Sequence, residues 1–411
     1  MEDLLSETRF DNALHQPQWS DPVQVRRLRH ALAARPALVR PQDLRTLSGL
    51  LAQVAAGQCV VVQCGDCSED PGECTPVHVS RKIAVLELLA GTLRMATARP
   101  VLRVGRIAGQ FAKPRTHRTE QVGDLELPSY QGHMVNGPQP TPDSRRPDPL
   151  RILTGYMAAS DIMTHLGWTA PPGSTRIDAP VWTSHEALLL DYEVPMLRRD
   201  EAGRLYLGST HWPWIGERTR QVDGAHVALL AAIANPVACK VGPTVGAGEL
   251  LALCERLDPE RRPGRLTLIA RMGADTVADR LPGLVAAVRA AGHPVSWLTD
   301  PLHGNTVQTA GGTKTRVVQH AIREVIAFRQ AVRAGGGIAG GLHLETTPDD
   351  VLECVSEERD LARTGERHST SLCDPRLNLD QALSVVSAFS PGRSHPDQNP
   401  GQDQDQDQDP A

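Results

Sequence analysis

Residues 60–70 read Val60-Val61-Val62-Gln63-Cys64-Gly65-Asp66-Cys67-Ser68-Glu69-Asp70. Three consecutive β-branched residues run into a polar turn that carries a glycine, two cysteines and three carboxylates. The first half has the character of a buried parallel strand, and the second that of a site at a strand's C-terminal end. Cys64-Gly65-Asp66-Cys67 is also a Cys-x-x-Cys pair, which fits thiol–disulfide chemistry or half of a zinc site. The rest of the chain has to decide between these readings.

Outward from that stretch one pattern repeats: a short apolar or β-branched run, a polar motif, then an amphipathic helix. The strand runs are 60–63, 101–107, 181–184, 212–215, 237–241, 266–270, 295–298 and 338–344. Helices are expected near 79–98, 149–166, 186–190, 225–233, 250–257, around Leu281, Leu284, Val285 and Val288, and at 317–332 and 379–389. Eight strand–helix units are the number that closes an α/β (β/α)8 TIM barrel. An open doubly wound sheet is the alternative, but no Gly-x-Gly-x-x-Gly follows the first strand. The expected organisation is an N-terminal helical extension over 1–56, a catalytic barrel over 57–389 and a disordered acidic tail over 390–411. The extension, with Leu28, Leu32, Leu38 and the amphipathic 44–51, reads as a packing or oligomer-contact element. The tail ends in a Gln-Asp repeat without apolar residues and cannot offset the entropy of ordering.

Among the 411 residues, 40% are hydrophobic and 22% charged, as in a soluble globular protein. No apolar run is long enough to span a bilayer. The start, Met1-Glu2-Asp3-Leu4, lacks a signal peptide's basic and apolar regions. A cytoplasmic protein with mostly reduced cysteines is expected, with no membrane partner. A net charge of −5 argues against a nucleic-acid partner. Of 43 basic residues only four are lysines: Lys82, Lys113, Lys240 and Lys314. A lysine kept in so arginine-biased a chain is a candidate for proton transfer, because an ammonium can release a proton and a guanidinium cannot.

Catalytic residues of such barrels sit at the C-terminal ends of the strands. The exits here carry two chemically distinct sets. Arg106, Lys113, Arg115, Arg218, Lys240 and Arg271 form a cationic set suited to two phosphate groups. Any one of these arginines alone could equally be a surface ion pair; strand-exit position and neighbouring glycines or prolines argue otherwise for the set. Cys67, His303, Glu345 and Asp374 offer a thiolate, an imidazole and two carboxylates, a donor set for a divalent first-row metal with room for substrate. Two phosphates beside a metal that polarises a carbonyl point to carbon–carbon bond formation between phosphorylated metabolites.

Six motifs then stand out together: Gln63-Cys64-Gly65-Asp66-Cys67-Ser68-Glu69, the 103–115 run from Arg103 to Arg115, Thr183-Ser184-His185-Glu186, the 214–221 run from Trp214 to Gln221, Asp300-Pro301-Leu302-His303-Gly304-Asn305-Thr306 and Cys373-Asp374-Pro375-Arg376-Leu377-Asn378. This series, in order over about residues 10–390, resembles that of the class II (plant-like) 3-deoxy-D-arabino-heptulosonate 7-phosphate (DAHP) synthases. Trp212-Pro213-Trp214 and Pro236-Val237-Ala238-Cys239-Lys240 resemble the short form found with bacterial phenazine biosynthesis. The resemblance implies a metal-dependent condensation of phosphoenolpyruvate with erythrose 4-phosphate and water, giving DAHP and phosphate, in the shikimate pathway. It implies Cys67, His303, Glu345 and Asp374 as ligands of manganese or cobalt. It places Arg106, Glu217, Arg218, Lys240 and Arg271 at phosphoenolpyruvate, Lys113, Pro114, Arg115 and Thr116 at erythrose 4-phosphate, and Trp214 among the substrate-binding residues. Lys240 is the expected proton donor to the developing alkoxide, with metal-bound water as its rival, and Glu217 belongs to the same catalytic group. A homodimer or higher homo-oligomer is implied as well. The short N-terminal region and the short stretch between strands two and three imply weak or absent inhibition by aromatic amino acids. Two alternatives stay open: an amino-DAHP or other sugar-acid phosphate synthase on the same scaffold, and a thiol redox or zinc protein built on Cys64 and Cys67. A Cys64–Cys67 disulfide that removes a metal ligand is a further expectation to test.

Overall fold

In a computed structural model the described residues are 13–170, 180–309, 312–362 and 369–390. The acidic tail beyond 390 and the first twelve residues lie outside them. Eight parallel strands form the core: β1 (Val60–Gly65), β2 (Val101–Arg106), β3 (Trp182–Ser184), β4 (Trp214–Ile215), β5 (Val237–Val241), β6 (Leu266–Ala270), β7 (Ser296–Thr299) and β8 (Ile338–Glu345). Their order in the sheet is β3-β2-β1-β8-β7-β6-β5-β4. A parallel bridge between Glu186 and Trp214 joins the two edges, so the sheet closes into the expected barrel. Val60, Val61 and Val62 are fully buried, as the β-branched run required.

Long helices cover the outside: α1 (Pro22–Ala33), α2 (Pro41–Ala55), α3 (Pro76–Thr97), α4 (Leu150–His165), α5 (Ala225–Ala232), α6 (Ala247–Leu257), α7 (Val277–Ala290), α8 (Val318–Ala334) and α9 (Leu379–Ser387). Starts of α1, α2 and α3 carry proline in the first turn, where its missing N–H costs nothing. Two helices, α1 and α2, make up the described part of the N-terminal extension. The α2 helix lies against the barrel's N-terminal end, with Val54 on Gly340 of β8 and Ser48 and Ala52 on Gly264 ahead of β6.

One expected helix is absent. Residues 186–189 form an irregular loop, and only the single turn Leu190–Glu193 is helical. The backbone there bonds elsewhere: Gln16 Nε2 donates to the Leu188 carbonyl at 2.9 Å, and Leu190 N donates to Gln16 Oε1 at 2.9 Å. The side chains of Ala187–Leu190 are buried in the hydrophobic core without a helix to carry them. No helix of the described residues is long and apolar enough to cross a membrane.

Candidate active site

Register sets the site. Gly65 at the end of β1 lies opposite Glu345 on one side and Arg106 on the other, so three strand exits end at one height. Gly65 has φ +148°, and a Cβ there would come within 2.6 Å of the Arg106 carbonyl oxygen, so this position accepts only glycine. The next residue, Asp66, is a strut. Its carboxylate sits 2.7 Å from Lys82 Nζ on α3 and 2.6 Å from Arg376 Nη1 beyond the Cys373-Asp374 turn. Burial works against the Asp66 carboxylate, but Lys82 and Arg376 hold its pKa below the usual value.

Cys67 follows the strut. Its Sγ, a Glu345 oxygen and an Asp374 oxygen lie within 4.8 Å of one another. Asp374 N donates to Cys67 Sγ at 3.2 Å, and His303 Nε2 is 3.4 Å from Glu345 Oε1. The four residues separated by up to 307 positions therefore converge. Burial pushes the Cys67 thiol well up, and Glu345 adds to that. Glu345, despite complete burial, is held well below the usual carboxylate range by His303, Lys113, Arg316 and Arg106. Arg106 Nη2 donates to one carboxylate oxygen at 2.9 Å, and Arg316 Nη1 to the other at 2.7 Å. His303 is oriented from behind, its Nδ1 2.7 Å from Asp300 Oδ2, the carboxylate–imidazole arrangement that supports metal ligands. Soft sulfur, imidazole and two carboxylates with such support fit a divalent first-row metal.

Beside this cluster is a cavity lined by Lys113, Pro114, Glu186, Gly216, Glu217, Arg218, Lys240, Arg271, His303, Thr306, Lys314 and Asp374. Lys240 is buried, with Nζ 2.7 Å from Asp300 Oδ2. Burial and the nearby Arg106 depress its pKa, although Asp300 opposes them. Lys113 Nζ lies 3.3 Å from Asp374 Oδ2 and 3.5 Å from Glu345 Oε1, at the junction of cluster and cavity. Arg271 donates to the His303 carbonyl at 3.0 Å, and its Nε has no partner among the described residues. Arg218 Nη2 donates to Thr116 Oγ1 at 3.1 Å and so ties the 113–116 segment to the exit of β4. One oxygen each of Glu186 and Glu217 is buried without a partner among the described residues.

Three expected residues sit differently from their neighbours in the set. Arg115 pairs with Glu120 in the hairpin Thr119–Val122/Leu125–Pro128 and does not line the cavity. Trp214 is 1% exposed and lies under the cavity floor, 5.3 Å from the Arg106 guanidinium and edge-on to His343. Arg106 is itself below the floor, 2% exposed. Cys64, the other half of the Cys-x-x-Cys, faces outward into a small apolar cleft with Val85 and Leu86 of α3, and burial pushes its thiol up to about 12. It takes no part in the cluster around Cys67, and all eight cysteines are free thiols.

Several residues at the site were not singled out from sequence. Asp300 holds both Lys240 and His303. Glu186 faces the cavity. Glu324 on α8 accepts from Met272 N, Gly273 N and Asn305 Nδ2, which fastens the β6 and β7 exit loops together. Burial pushes its carboxyl up to about 8. Lysine scarcity had already marked Lys314, which lies 3.1 Å from Asp374 Oδ1, and all four lysines end on carboxylates at or just behind the cluster.

The sequence matches the model of the class-II DAHP synthetase family over residues 4–180 and 162–390. The chain belongs to the class-II DAHP synthetase family. A "probable phospho-2-dehydro-3-deoxyheptonate aldolase" of Pseudomonas fluorescens is 58% identical over 390 residues, covering 95% of this chain and 97% of the relative. A phospho-2-dehydro-3-deoxyheptonate aldolase of Mycolicibacterium smegmatis is 39% identical, covering 92% of this chain and 93% of the relative. One from Streptomyces coelicolor is 38% identical, covering 91% and 94%. Among solved structures, a phospho-2-dehydro-3-deoxyheptonate aldolase from Francisella tularensis covers 89% of this chain and 97% of its own at TM-score 0.53 and 14% identity, a likeness of fold. Family membership makes this chain a DAHP synthase, the metal-dependent transferase of the first shikimate-pathway step.

Proposed function

We propose that this DAHP synthase condenses phosphoenolpyruvate with erythrose 4-phosphate and water at the cavity between Lys240 and Asp374, releasing DAHP and inorganic phosphate. The observation that carries this reading is the adjacency of two chemistries: Cys67, His303, Glu345 and Asp374 form one wall, Arg218, Lys240 and Arg271 line the cavity beside it, and Lys113 sits where the two meet. The four-residue wall would hold Mn2+ or Co2+, which when bound supplies a Lewis acid for the aldehyde oxygen. Lys240 and Arg271 face the phosphoenolpyruvate carboxylate and phosphate, with Arg106 beneath them. Pro114, Thr116 and Arg218 receive the erythrose 4-phosphate side, with Arg115 able to join once it leaves Glu120. C3 of the enol phosphate attacks the aldehyde carbon, water adds at C2, and the C2–O bond to phosphate breaks. Lys240 delivers the proton to the new hydroxyl, and Glu217 and Glu186 face the same volume as candidate acceptors of the proton that water gives up.

We place the enzyme in the cytoplasm as a homodimer or higher homo-oligomer, and in the short, phenazine-associated branch without aromatic feedback; the motif variants 212–214 and 236–240 support this branch. The amino-DAHP alternative uses the same cavity. Phosphate release from phosphoenolpyruvate, measured with and without erythrose 4-phosphate after chelation and Mn2+ or Co2+ add-back, tests the assignment. Release that depends on both aldehyde and metal is expected. Release that needs neither would refute it.

A further inference from the structure

Under the cavity floor runs a chain of buried polar side chains that the reaction does not use directly. Arg106 donates from Nε to the Asp66 carbonyl at 3.2 Å, from Nη1 to His343 Nε2 at 2.7 Å and from Nη2 to Glu345 Oε1 at 2.9 Å. A guanidinium has only donors. His343 Nε2 must therefore accept and carries no hydrogen, which puts the hydrogen of the neutral ring on Nδ1. That nitrogen is 2.7 Å from Gln63 Oε1. Since Gln63 accepts there, its amide donates, and Nε2 lies 2.7 Å from Ser184 Oγ. The Ser184 hydroxyl in turn donates to the Trp212 carbonyl at 2.5 Å. Each hydrogen in the chain has one possible direction. Gln63, Ser184 and His343 are fully buried, so water cannot substitute for any of them.

The chain crosses the barrel interior from the approach to β4, through β3, β1 and β8, to β2. Its end holds Arg106, which bonds the Glu345 carboxylate and is itself buried beside the cavity. We propose that His343 is a positioning residue: as a neutral Nδ1–H imidazole it fixes the plane of Arg106, and through Arg106 it sets the Glu345 carboxylate and the phosphoenolpyruvate floor together. The proposal rests on Arg106 and Glu345 serving substrate and metal as given above. Trp214 braces the arrangement from the side, edge-on to the His343 ring at 5.0 Å and 5.3 Å from the Arg106 guanidinium. Glutamine offers an acceptor for Arg106 and a donor for Gln63 on a side chain of comparable reach. Leucine at 343 or methionine at 63 removes the relay while filling similar space.

The test uses the full chain and two binding readouts besides turnover: phosphoenolpyruvate affinity by calorimetry without metal, and Mn2+ affinity by chelator competition. His343→Leu and Gln63→Met are expected to weaken both, each by roughly ten- to a hundred-fold, the size of a lost hydrogen bond to a charged group. KM for phosphoenolpyruvate should rise more than kcat falls, and His343→Gln should stay within a few-fold of the parent. Nitrogen NMR of the labelled parent, with the 343 signal identified by its loss in His343→Gln, should show a neutral ring protonated at Nδ1. This last measurement needs no variant to bind or turn over. A ring protonated at Nε2 would overturn the proposal, as would a folded His343→Leu or Gln63→Met with parental affinities. If Arg106→Lys itself leaves phosphoenolpyruvate affinity unchanged, the floor assignment fails, and the role given to His343 fails with it.

Discussion

Replacing Asp300 by asparagine is the most incisive single change. Asp300 Oδ2 lies 2.7 Å from both Lys240 Nζ and His303 Nδ1, and Oδ1 accepts from Leu302 N and His303 N at 3.2 Å. Burial opposes the charged form, yet His303 and Lys240 hold this carboxyl well below the usual carboxylate range. Asparagine is nearly isosteric and keeps the two backbone contacts through its oxygen. Its amide nitrogen, however, turns two hydrogens toward an ammonium and an imidazole N–H, neither of which accepts. Removing one partner of a buried pair costs about 3–5 kcal/mol. At about 2.1 cal/mol/K per residue of unfolding entropy, that lowers Tm by roughly 4–6 °C for a chain of this size. Loss of the carboxylate behind a metal-binding imidazole costs about 10- to 100-fold in metal affinity. Competition against a chromophoric chelator reads that affinity whether or not the variant turns over, and calorimetry reads Tm. An Asp300→Asn protein that titrates Mn2+ like the parent and melts within about 1 °C of it would show the reasoning to be wrong.

Cys67→Ser should lose both metal binding and turnover, whereas Cys64→Ser keeps both, because Cys64 faces the cleft behind β1; equal loss in the two variants would restore the paired-thiol reading. Lys240→Arg keeps the charge but not the labile proton, so kcat should fall by roughly 10²- to 10⁴-fold with phosphoenolpyruvate binding little changed; unchanged kcat would remove Lys240 as the donor. His226 is buried with Nε2 2.9 Å from the Leu188 carbonyl, and burial depresses its pKa. A base depressed on folding contributes its stability in full above the unfolded value of about 6.5 and loses it as pH falls through the folded value. Urea midpoints should therefore drop below that pH more steeply in the parent than in His226→Gln, and parallel profiles would count against it. Tryptophan, phenylalanine and tyrosine, singly or combined, should leave initial rates unchanged at micromolar concentration.

The amino-acid sequence by itself determined the eight strand runs, because β-branched runs and helical spacing are local properties of the chain. It also carried the motif series from Gln63 to Asn378 that marks the family. Where local pattern failed, a distant contact had overridden it: residues 186–190 have helical composition, but Gln16 claims their backbone and the packed core claims their side chains. The opening stretch shows the same division. The strand reading of Val60–Val62 needed no partner, whereas separating Cys67 from Cys64 required knowing which way each side chain faces on a closed barrel. Tertiary structure alone decided that Arg115 turns to Glu120, that Trp214 lies below the floor, and that Asp300 holds Lys240 and His303 at once. The physical reason is register. Barrel closure and the pairing of Gly65 with Glu345 and Arg106 bring residues hundreds of positions apart within a few ångströms, and no spacing within the chain encodes which of them will then share a proton or a carboxylate.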